Sequence, residues 1–151
     1  MIKLTKLADY AVILMCQMSH SDGRVSAQDL ATSTGIPVPT VSKILNMLSR
    51  GGLLQSHRGL KGGFALTRVA DEIAVSEIIE VMDGPIALTL CTESAAPCDC
   101  GFDDVCSLRP RWQIINSAVK SALDDVKLSV LAEPTLGGRV MQLEKRQGMN
   151  K

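Results

Sequence analysis

Residues 26–67 have the sequence SAQDLATSTGIPVPTVSKILNMLSRGGLLQSHRGLKGGFALT, and the local structure of the chain is most clearly predicted here. Its first four residues form a helix N-terminal capping box, and Gly35 is placed to end a short helix. Pro39 suits the first turn of the next helix, where the missing N–H costs no hydrogen bond. Apolar residues at three- and four-residue steps then predict an inward face made of Val41, Ile44, Leu45 and Leu48. The stretch therefore begins with a helix-turn-helix.

A glycine-rich basic turn follows the second of these helices. Gly51 and Gly52 end the helix, and two short apolar segments, 53–57 and 64–67, flank the turn at 58–63. Two short strands around such a turn form a β-hairpin, which in this position is a wing. A helix-turn-helix followed by a wing is typical of proteins that bind double-stranded DNA with the second helix in the major groove.

Apolar residues recur at helical spacing in three further segments. The first is 5–19, where Cys16 lies on the apolar face and is interpreted as a core residue. The second is a short helix around Ile78, ended by Asp-Gly-Pro at 83–85. The third begins near Pro110 and has a coiled-coil-like stripe. The stripe consists of Trp112, Ile115, Val119, Ala122 and Val126, with Leu123 and Val130 beside it. Such a stripe is buried against its own domain or a second copy, so we expect a homodimer.

Composition and charge narrow the function classes. The chain has 151 residues, of which 46% are apolar and 3% aromatic. It therefore builds a core, but it has no set of aromatic platforms for gripping single-stranded nucleic acid. Residues 1–68 carry a net charge of +5, 69–108 carry −9 and 109–151 carry +4, although the whole chain is neutral. A basic first segment is expected to meet a polyanion.

The sequence has no apolar run of membrane length, and the N-terminal apolar stretch is too short for a signal peptide core. We therefore expect a cytoplasmic protein without membrane contact. Four of the five cysteines lie within sixteen residues, and they are Cys91, Cys98, Cys100 and Cys106. In a reducing compartment such a cluster is typical of metal binding or redox activity rather than of structural disulfides.

The residue chemistry of this cysteine loop favours binding of an iron-sulfur cluster. Thiolates are soft ligands that hold iron-sulfur clusters. Cys98 and Cys100 are one residue apart, and a pair that close can rarely reach separate irons without strain, so we expect one of them to be spare. Structural zinc also takes four cysteines, but it usually uses C-x2-C pairs, which this chain lacks. A metal-free thiol switch is the remaining alternative.

Several motifs, taken in order, resemble one family. They are LTKLADYAV at 4–12, the wing turn from Arg58-Gly59 to Gly62-Gly63-Phe64, Asp-Gly-Pro at 83–85, the cysteine loop, and RPRWQIIN at 109–116. The sequence resembles the bacterial winged-helix regulators that include IscR, NsrR and RirA, and most closely the branch that regulates the SUF iron-sulfur assembly system. The resemblance covers most of the chain.

This resemblance implies a homodimeric, non-enzymatic transcription factor that binds a palindromic operator in double-stranded DNA. Its cysteine loop is implied to hold an iron-sulfur cluster, of the 2Fe-2S rather than the 4Fe-4S type, and the state of the cluster alters DNA binding. The family loop usually has three cysteines, the last two separated by five residues. The implied ligands are Cys91, Cys100 and Cys106.

The fourth ligand has two candidates. IscR has a histidine three residues after its last cysteine, and this chain has Arg109 there, so histidine is excluded at that position. Other members use an acidic residue of the first helix, contributed across the dimer, and Asp9 occupies the matching place. Asp9 also suits the N-terminus of a helix for reasons of charge alone. Asp9 and Cys98 therefore remain competing fourth donors.

The outward face of the second helix of the helix-turn-helix supplies the candidate DNA contacts. Its members are Thr40, Ser42, Lys43, Asn46 and Arg50. In the family the early positions reach base edges, which here means Thr40, Ser42 and Lys43. Ser42 falls where IscR has a glutamate, so the preferred operator need not follow that of IscR. Arg58 and Lys61 in the wing suit the minor groove or its phosphates, with solvated turn charges as the alternative.

We therefore predict a mainly α fold with a small β-hairpin, made of a winged helix-turn-helix domain and a long C-terminal dimerisation helix. The expected division is 1–84 for DNA binding, 85–109 for the cysteine-rich cluster loop, 110–133 for dimerisation and 134–151 for a flexible tail. The leading hypothesis is a redox-sensing iron-sulfur regulator, acting as a repressor or activator. The alternative is a cluster-free winged-helix repressor that senses thiol oxidation or nitric oxide. A thiol oxidoreductase is disfavoured because no C-x2-C opens a helix.

Overall fold

The structure is a computed structural model that describes residues 3–59, 62–93 and 106–133. In chain order its elements are α1 (Lys6–Ser19), α2 (Ala27–Thr34), α3 (Val38–Arg50), β1 (Leu54–His57), β2 (Gly63–Leu66), α4 (Val75–Asp83), α5 (Leu90–Glu93), α6 (Arg109–Asp125) and α7 (Leu128–Ala132). A single 3-10 turn, Ala70–Glu72, precedes α4. The predicted fold class, mainly helical with a two-stranded antiparallel hairpin, is confirmed.

The helix ends of the predicted helix-turn-helix lie where the local sequence places them. The Ser26 hydroxyl accepts a hydrogen bond from the Asp29 N–H at 3.1 Å, which satisfies one of the free amides of the first turn of α2. Gly35 ends α2 with φ +74°, a conformation that favours glycine. Gly51 follows the last residue of α3. All three boundaries agree with the sequence-based expectation.

The core lies between α1, α3 and α4. The four residues predicted to face inward from α3 are all fully buried, together with Leu14 and Met15 of α1 and Ile78 of α4. Removing these large aliphatic side chains from water supplies the main driving force for packing the three helices together. Gly51 lets α3 and α4 approach closely, because a Cβ there would lie 2.5 Å from a Val81 methyl carbon.

The wing is joined to the connection between α1 and α2 as well as to α3. Strands β1 and β2 pair antiparallel from Leu54 opposite Leu66 to His57 opposite Gly63. Val25 and Phe64 also exchange two main-chain hydrogen bonds of 2.9 Å each. No sequence pattern predicted this third short pairing. Strand β2 is therefore hydrogen-bonded along both of its edges, to β1 on one side and to Val25 on the other.

The predicted C-terminal helix is two helices in the structure. Helix α6 ends at Asp125, and residues 126 and 127 are extended. They pair with the start of α4, with Val75 N–H donating to the Val126 carbonyl and Leu128 N–H donating to the Ile73 carbonyl, both at 2.9 Å. Leu128 is fully buried in the core, where α7 packs against α1. The expectation that the stripe continues through Val126 to Val130 on one helix was therefore wrong.

Helix α6 docks on α4 through a face that differs from the predicted stripe. Lys120 forms an ion pair with Glu80 at 2.5 Å, and the Ser76 hydroxyl donates to the Asp124 carboxylate. The first part of the stripe stays exposed in this single chain, since Trp112 and Ile115 are 37% and 47% accessible. Within the described residues, no helix is long and apolar enough to cross a membrane.

Candidate DNA-binding surface and cysteine site

The outward face of α3 carries the predicted DNA contacts. Lys43, Asn46 and Arg50 are exposed, and Thr40 and Ser42 are half-buried beside them. This face is mainly polar or basic, whereas the buried face of α3 is apolar, which is the pattern of an amphipathic surface helix. It places hydroxyl, amide and cationic groups, all able to bond to bases or phosphates, on one side of the molecule.

The wing presents Arg58 directly after β1. Arg58 is exposed, and the turn after it is closed by a 2.8 Å hydrogen bond from Gly62 N–H to the Gly59 carbonyl. A Cβ at Gly62 would lie 2.6 Å from the His57 carbonyl oxygen, so the tight turn requires glycine there. Lys61, the other predicted wing contact, lies outside the described residues.

Cys91 lies in the one-turn helix α5, which packs against α6. It is half-buried and has no disulfide partner. Its Sγ lies 3.1 Å from the Thr89 hydroxyl. The Thr92 hydroxyl in turn donates to the Thr89 carbonyl at 2.8 Å. Thr89 therefore lies in the immediate surroundings of the Cys91 thiol.

Asn116 of α6 holds the segment that leads into α5. Its Nδ2 donates to the Ile86 carbonyl, and its Oδ1 accepts from the Leu88 N–H, both at 3.0 Å. Sequence reasoning did not single out Asn116 as a functional residue, although it ends the RPRWQIIN motif. No local rule predicts a side chain that bonds to the backbone about thirty residues earlier.

Cys106 lies three residues before the start of α6 and is also half-buried with a free thiol. Cys98 and Cys100 lie outside the described residues. Among the described residues, no group of three or more His, Cys, Asp or Glu side chains is close enough to hold a metal ion. The structure therefore places two of the three implied cysteine ligands at the two ends of the segment 91–106, both adjoining α6. Free, half-buried thiols in these positions fit a cluster held at the surface.

Asp9 is exposed in the first turn of α1. The turn that carries it is tied to the end of α4, because Asp83 accepts hydrogen bonds from the Thr5 N–H at 3.1 Å and from the Thr5 hydroxyl at 2.5 Å. Asp83 is followed by Gly84 and then by the cysteine-bearing segment. The Thr5–Asp83 pair thus connects the base of that segment to the DNA-binding domain.

Residues 4–134 match the family model described as Rrf2, an iron-dependent transcriptional regulator. The chain belongs to the Rrf2 family. Over 151 residues it is 29% identical to the HTH-type transcriptional regulator IscR of Vibrio atlanticus, covering 99% of this chain and 84% of that protein. The match agrees with the predicted family.

Solved structures show the same fold. The structure of CymR, the global cysteine regulator of Bacillus subtilis, matches with a TM-score of 0.66 and 28% identity over 87% of this chain and 97% of that one. T. potens IscR matches in fold with a TM-score of 0.61 and 23% identity, over 86% and 85% of the two chains. This Rrf2 protein is therefore a DNA-binding transcriptional regulator of the winged-helix type and not an enzyme, as predicted.

Cys16 of this Rrf2 regulator stands apart from the cysteine segment. It packs against the core from α1, and burial raises the pKa of its thiol. A raised pKa favours the protonated thiol, which is a weaker nucleophile than the thiolate. The structure therefore places Cys16 at the edge of the core, half-buried, and not fully inside it as the sequence predicted.

Proposed function

We propose that this Rrf2 regulator is an iron-sulfur cluster-dependent transcription factor that controls SUF-type cluster assembly genes. The observation that carries the proposal is the placement of two free and half-buried thiols, Cys91 in a helix that packs against α6 and Cys106 three residues before α6 begins. The IscR relative and the iron-dependent description of the family support it.

Cys91, Cys100 and Cys106 would hold the cluster, with Asp9 or Cys98 as the fourth donor, and we expect the 2Fe-2S type. When bound, the cluster supplies sulfur-iron bonds that join the two ends of the cysteine segment and that change with its oxidation state or its loss. The chain's own residues do the rest. Asn116 holds Ile86 and Leu88, just before Cys91, against α6, and Asp83 at the end of α4 accepts hydrogen bonds from Thr5 at the start of α1.

The functional division follows the predicted one. We assign 1–84 to DNA binding and 85–109 to the cluster, and we assign dimerisation to 110–133, where it rests on α6. Because α6 docks on α4 through another face, its exposed apolar side chains are available to a second copy. Two copies related by twofold symmetry would present two α3 helices to a palindromic operator. The residues 134–151, predicted as a tail, lie outside the described residues.

We assign base contacts to Thr40, Ser42 and Lys43 of α3, and contacts with the DNA minor groove or its flanking phosphates to Arg58 and Lys61 of the wing. Short hydroxyl side chains discriminate bases less sharply than arginine or asparagine does. Specificity is therefore expected to depend on Lys43, on DNA shape and on the number of base pairs between half-sites.

A second candidate is a cluster-free repressor that senses thiol oxidation or nitric oxide through the same cysteines. The specific observation in its favour is the similarity to CymR, which is named a global cysteine regulator. Both candidates use Cys91 and Cys106, and they differ in whether iron and sulfide are bound.

Purification without air separates the two. We expect a coloured protein with visible absorption, with iron and acid-labile sulfide in equal amounts, and with operator affinity that changes when the cluster is removed. A colourless protein whose operator affinity responds to thiol oxidation would establish the second candidate. Binding that is identical with and without iron, and before and after alkylation of the thiols, would exclude both.

A further inference from the structure

Asn116 uses both polar groups of its side chain on the backbone between α4 and α5. The amide nitrogen donates to the Ile86 carbonyl and the amide oxygen accepts from the Leu88 N–H. All three residues are half-buried, so water competes less for these bonds than at an exposed site. A side-chain amide that pairs with backbone groups two residues apart replaces a neighbouring strand. We call this pair of bonds the Asn116 clamp.

The clamp lies only three residues before Cys91, and the intervening chain is held by its own hydrogen bonds. The Thr89 carbonyl accepts from both the N–H and the hydroxyl of Thr92. The Thr89 hydroxyl lies 3.1 Å from the sulfur of Cys91. Few free rotations remain between Leu88 and the thiol, so the position of the Cys91 sulfur follows from the position of Leu88.

Helix α6, which carries Asn116, also begins next to the other end of the cysteine segment. Cys106 lies three residues before α6, and α6 is held on α4 by the ion pair of Lys120 with Glu80, one turn after Asn116. We propose that Asn116 is a positioning residue for Cys91, which it holds at a fixed place relative to α6 and hence to Cys106. Such preorganisation lowers the ordering cost when thiolates bind a metal centre. The part of this inference that concerns the cluster rests on the proposed function.

The first arm of the test uses the full-length apo protein and needs no cluster. Three variants are compared with the wild type: Asn116→Ala removes both bonds, Asn116→Asp keeps only the acceptor for Leu88, and Gln113→Ala changes an exposed residue of the same helix. We expect the Leu88 amide to exchange about tenfold faster in Asn116→Ala, the factor that corresponds to one lost hydrogen bond. We also expect Cys91 to be alkylated faster in Asn116→Ala than in the wild type, and mass spectrometry measures the rate. Alkylation of Cys16 reports general loosening and is expected to stay unchanged.

The second arm uses protein reconstituted without air. Asn116→Ala is expected to lose its visible absorption to an iron chelator several times faster than Gln113→Ala and the wild type. If the wild type takes up no cluster, the proposed function fails and Cys91 alkylation alone decides the role of Asn116. The inference is overturned if Asn116→Ala and Gln113→Ala do not differ in the rate of Cys91 alkylation. It is also overturned if Asn116→Ala accelerates alkylation of Cys16 as much as that of Cys91. Should Asn116→Ala fail to fold, Asn116→Asp takes its place, with an effect in the same direction.

Discussion

Gly63 lies in the wing against the α1–α2 connection. Its φ is +146°, and a Cβ there would lie 2.8 Å from the carbonyl oxygen of Val25. We expect Gly63→Ala to lower the free energy of unfolding by about 1–3 kcal/mol, because it combines an unfavourable backbone conformation with a backbone clash. Urea denaturation measures the change.

Gly23→Ala is the matched control for Gly63. No atom lies within 4 Å of a Cβ built on Gly23, and its φ is outside the left-handed region. It should shift stability by less than about 0.5 kcal/mol. Equal effects of the two substitutions would mean that the close approach of Gly63 to Val25 is not a constraint on the fold.

Arg58 is exposed at the base of the wing tip, where the proposed function places it on a phosphate. Arg58→Ala should weaken operator binding and reduce the slope of log affinity against log salt by about one unit for each phosphate that Arg58 neutralises. Arg111→Ala removes the same charge from an exposed position on α6 and should leave the slope unchanged. A slope that is the same in Arg58→Ala and the wild type would show that Arg58 does not bind a phosphate.

At the scale of single elements, the start of α4 depends on Glu77. Its carboxylate accepts hydrogen bonds from the Ala74 N–H at 3.0 Å and from the Arg68 guanidinium. Burial raises the pKa of Glu77, but the bonds from Arg68 and Ala74 outweigh it and hold the pKa below the ordinary value. The charged carboxylate therefore stabilises the fold above the unfolded-state pKa of about 4.3, and this contribution is lost as the pH falls through the lower folded-state value.

Glu77→Gln tests this dependence, because glutamine keeps an oxygen for the Ala74 N–H and removes the charge. The wild type should be more stable than the variant at pH 7 by about 0.5 kcal/mol, a small value because the Arg68 pair is partly exposed. The difference should disappear in acid, below the folded-state pKa. Urea midpoints at pH 7 and in acid measure it, and a difference that persists in acid would contradict the assignment to charge.

Helices α2 and α3 could be predicted almost to the residue, whereas the end of α6 could not. The helix ends at Ser26, Gly35 and Gly51 depend only on residues nearby in the chain, so the local sequence predicts them. Helix α6 ends because the backbone at 126–128 pairs with residues 73–75, some fifty positions earlier. Side-chain periodicity contains no information on that pairing, and the stripe therefore appeared to continue.

At the scale of the whole molecule, α6 leaves an apolar surface uncovered. Ile115 is 47% exposed in the single chain and lies in the predicted stripe. Ile115→Glu should weaken dimerisation by about 100-fold, because a charge would be buried at the centre of the interface. The monomer should stay folded, since this side chain does not contribute to its core. Sedimentation at several protein concentrations measures the association.

Ser117→Glu provides the control on α6. Ser117 is exposed and lies on the side of the helix opposite the stripe. It introduces the same charge and should leave the dimer intact. If both variants are monomeric, charge rather than a specific interface explains the effect, and if both are dimeric, the stripe is not the interface.

Cluster binding and dimerisation are expected to be separable. Cys106→Ala should lose the visible absorption of the cluster and keep the dimer, because the exposed stripe of α6 does not include the cysteine segment. Cys16→Ala, which removes a half-buried thiol of α1 outside the cysteine segment, should keep both. Monomeric Cys106→Ala protein would show that the cluster and the dimer interface depend on each other.

The residue types of the candidate site could be predicted from the sequence, but the hydrogen bonds that hold the surrounding backbone in place could not. The outward face of α3 follows from helical spacing, and the cysteine cluster is visible in the sequence itself. Thr5 and Asp83 are 78 positions apart, and Asn116 reaches back to residues 86 and 88. Contacts of this kind depend on how helices are packed together, which no local pattern states.

The main-chain bonds between Val25 and Phe64, together with the bond from Leu53 N–H to the Leu48 carbonyl, join the wing to the helix-turn-helix on two sides. These bonds hold the wing in place relative to α3, so in the proposed complex each copy would contact a fixed length of duplex. In the proposed dimer the gap between the two copies is likewise set, by the α6 interface. Inserting a single base pair at the centre of an operator should accordingly abolish binding more completely than changing a base beneath either wing.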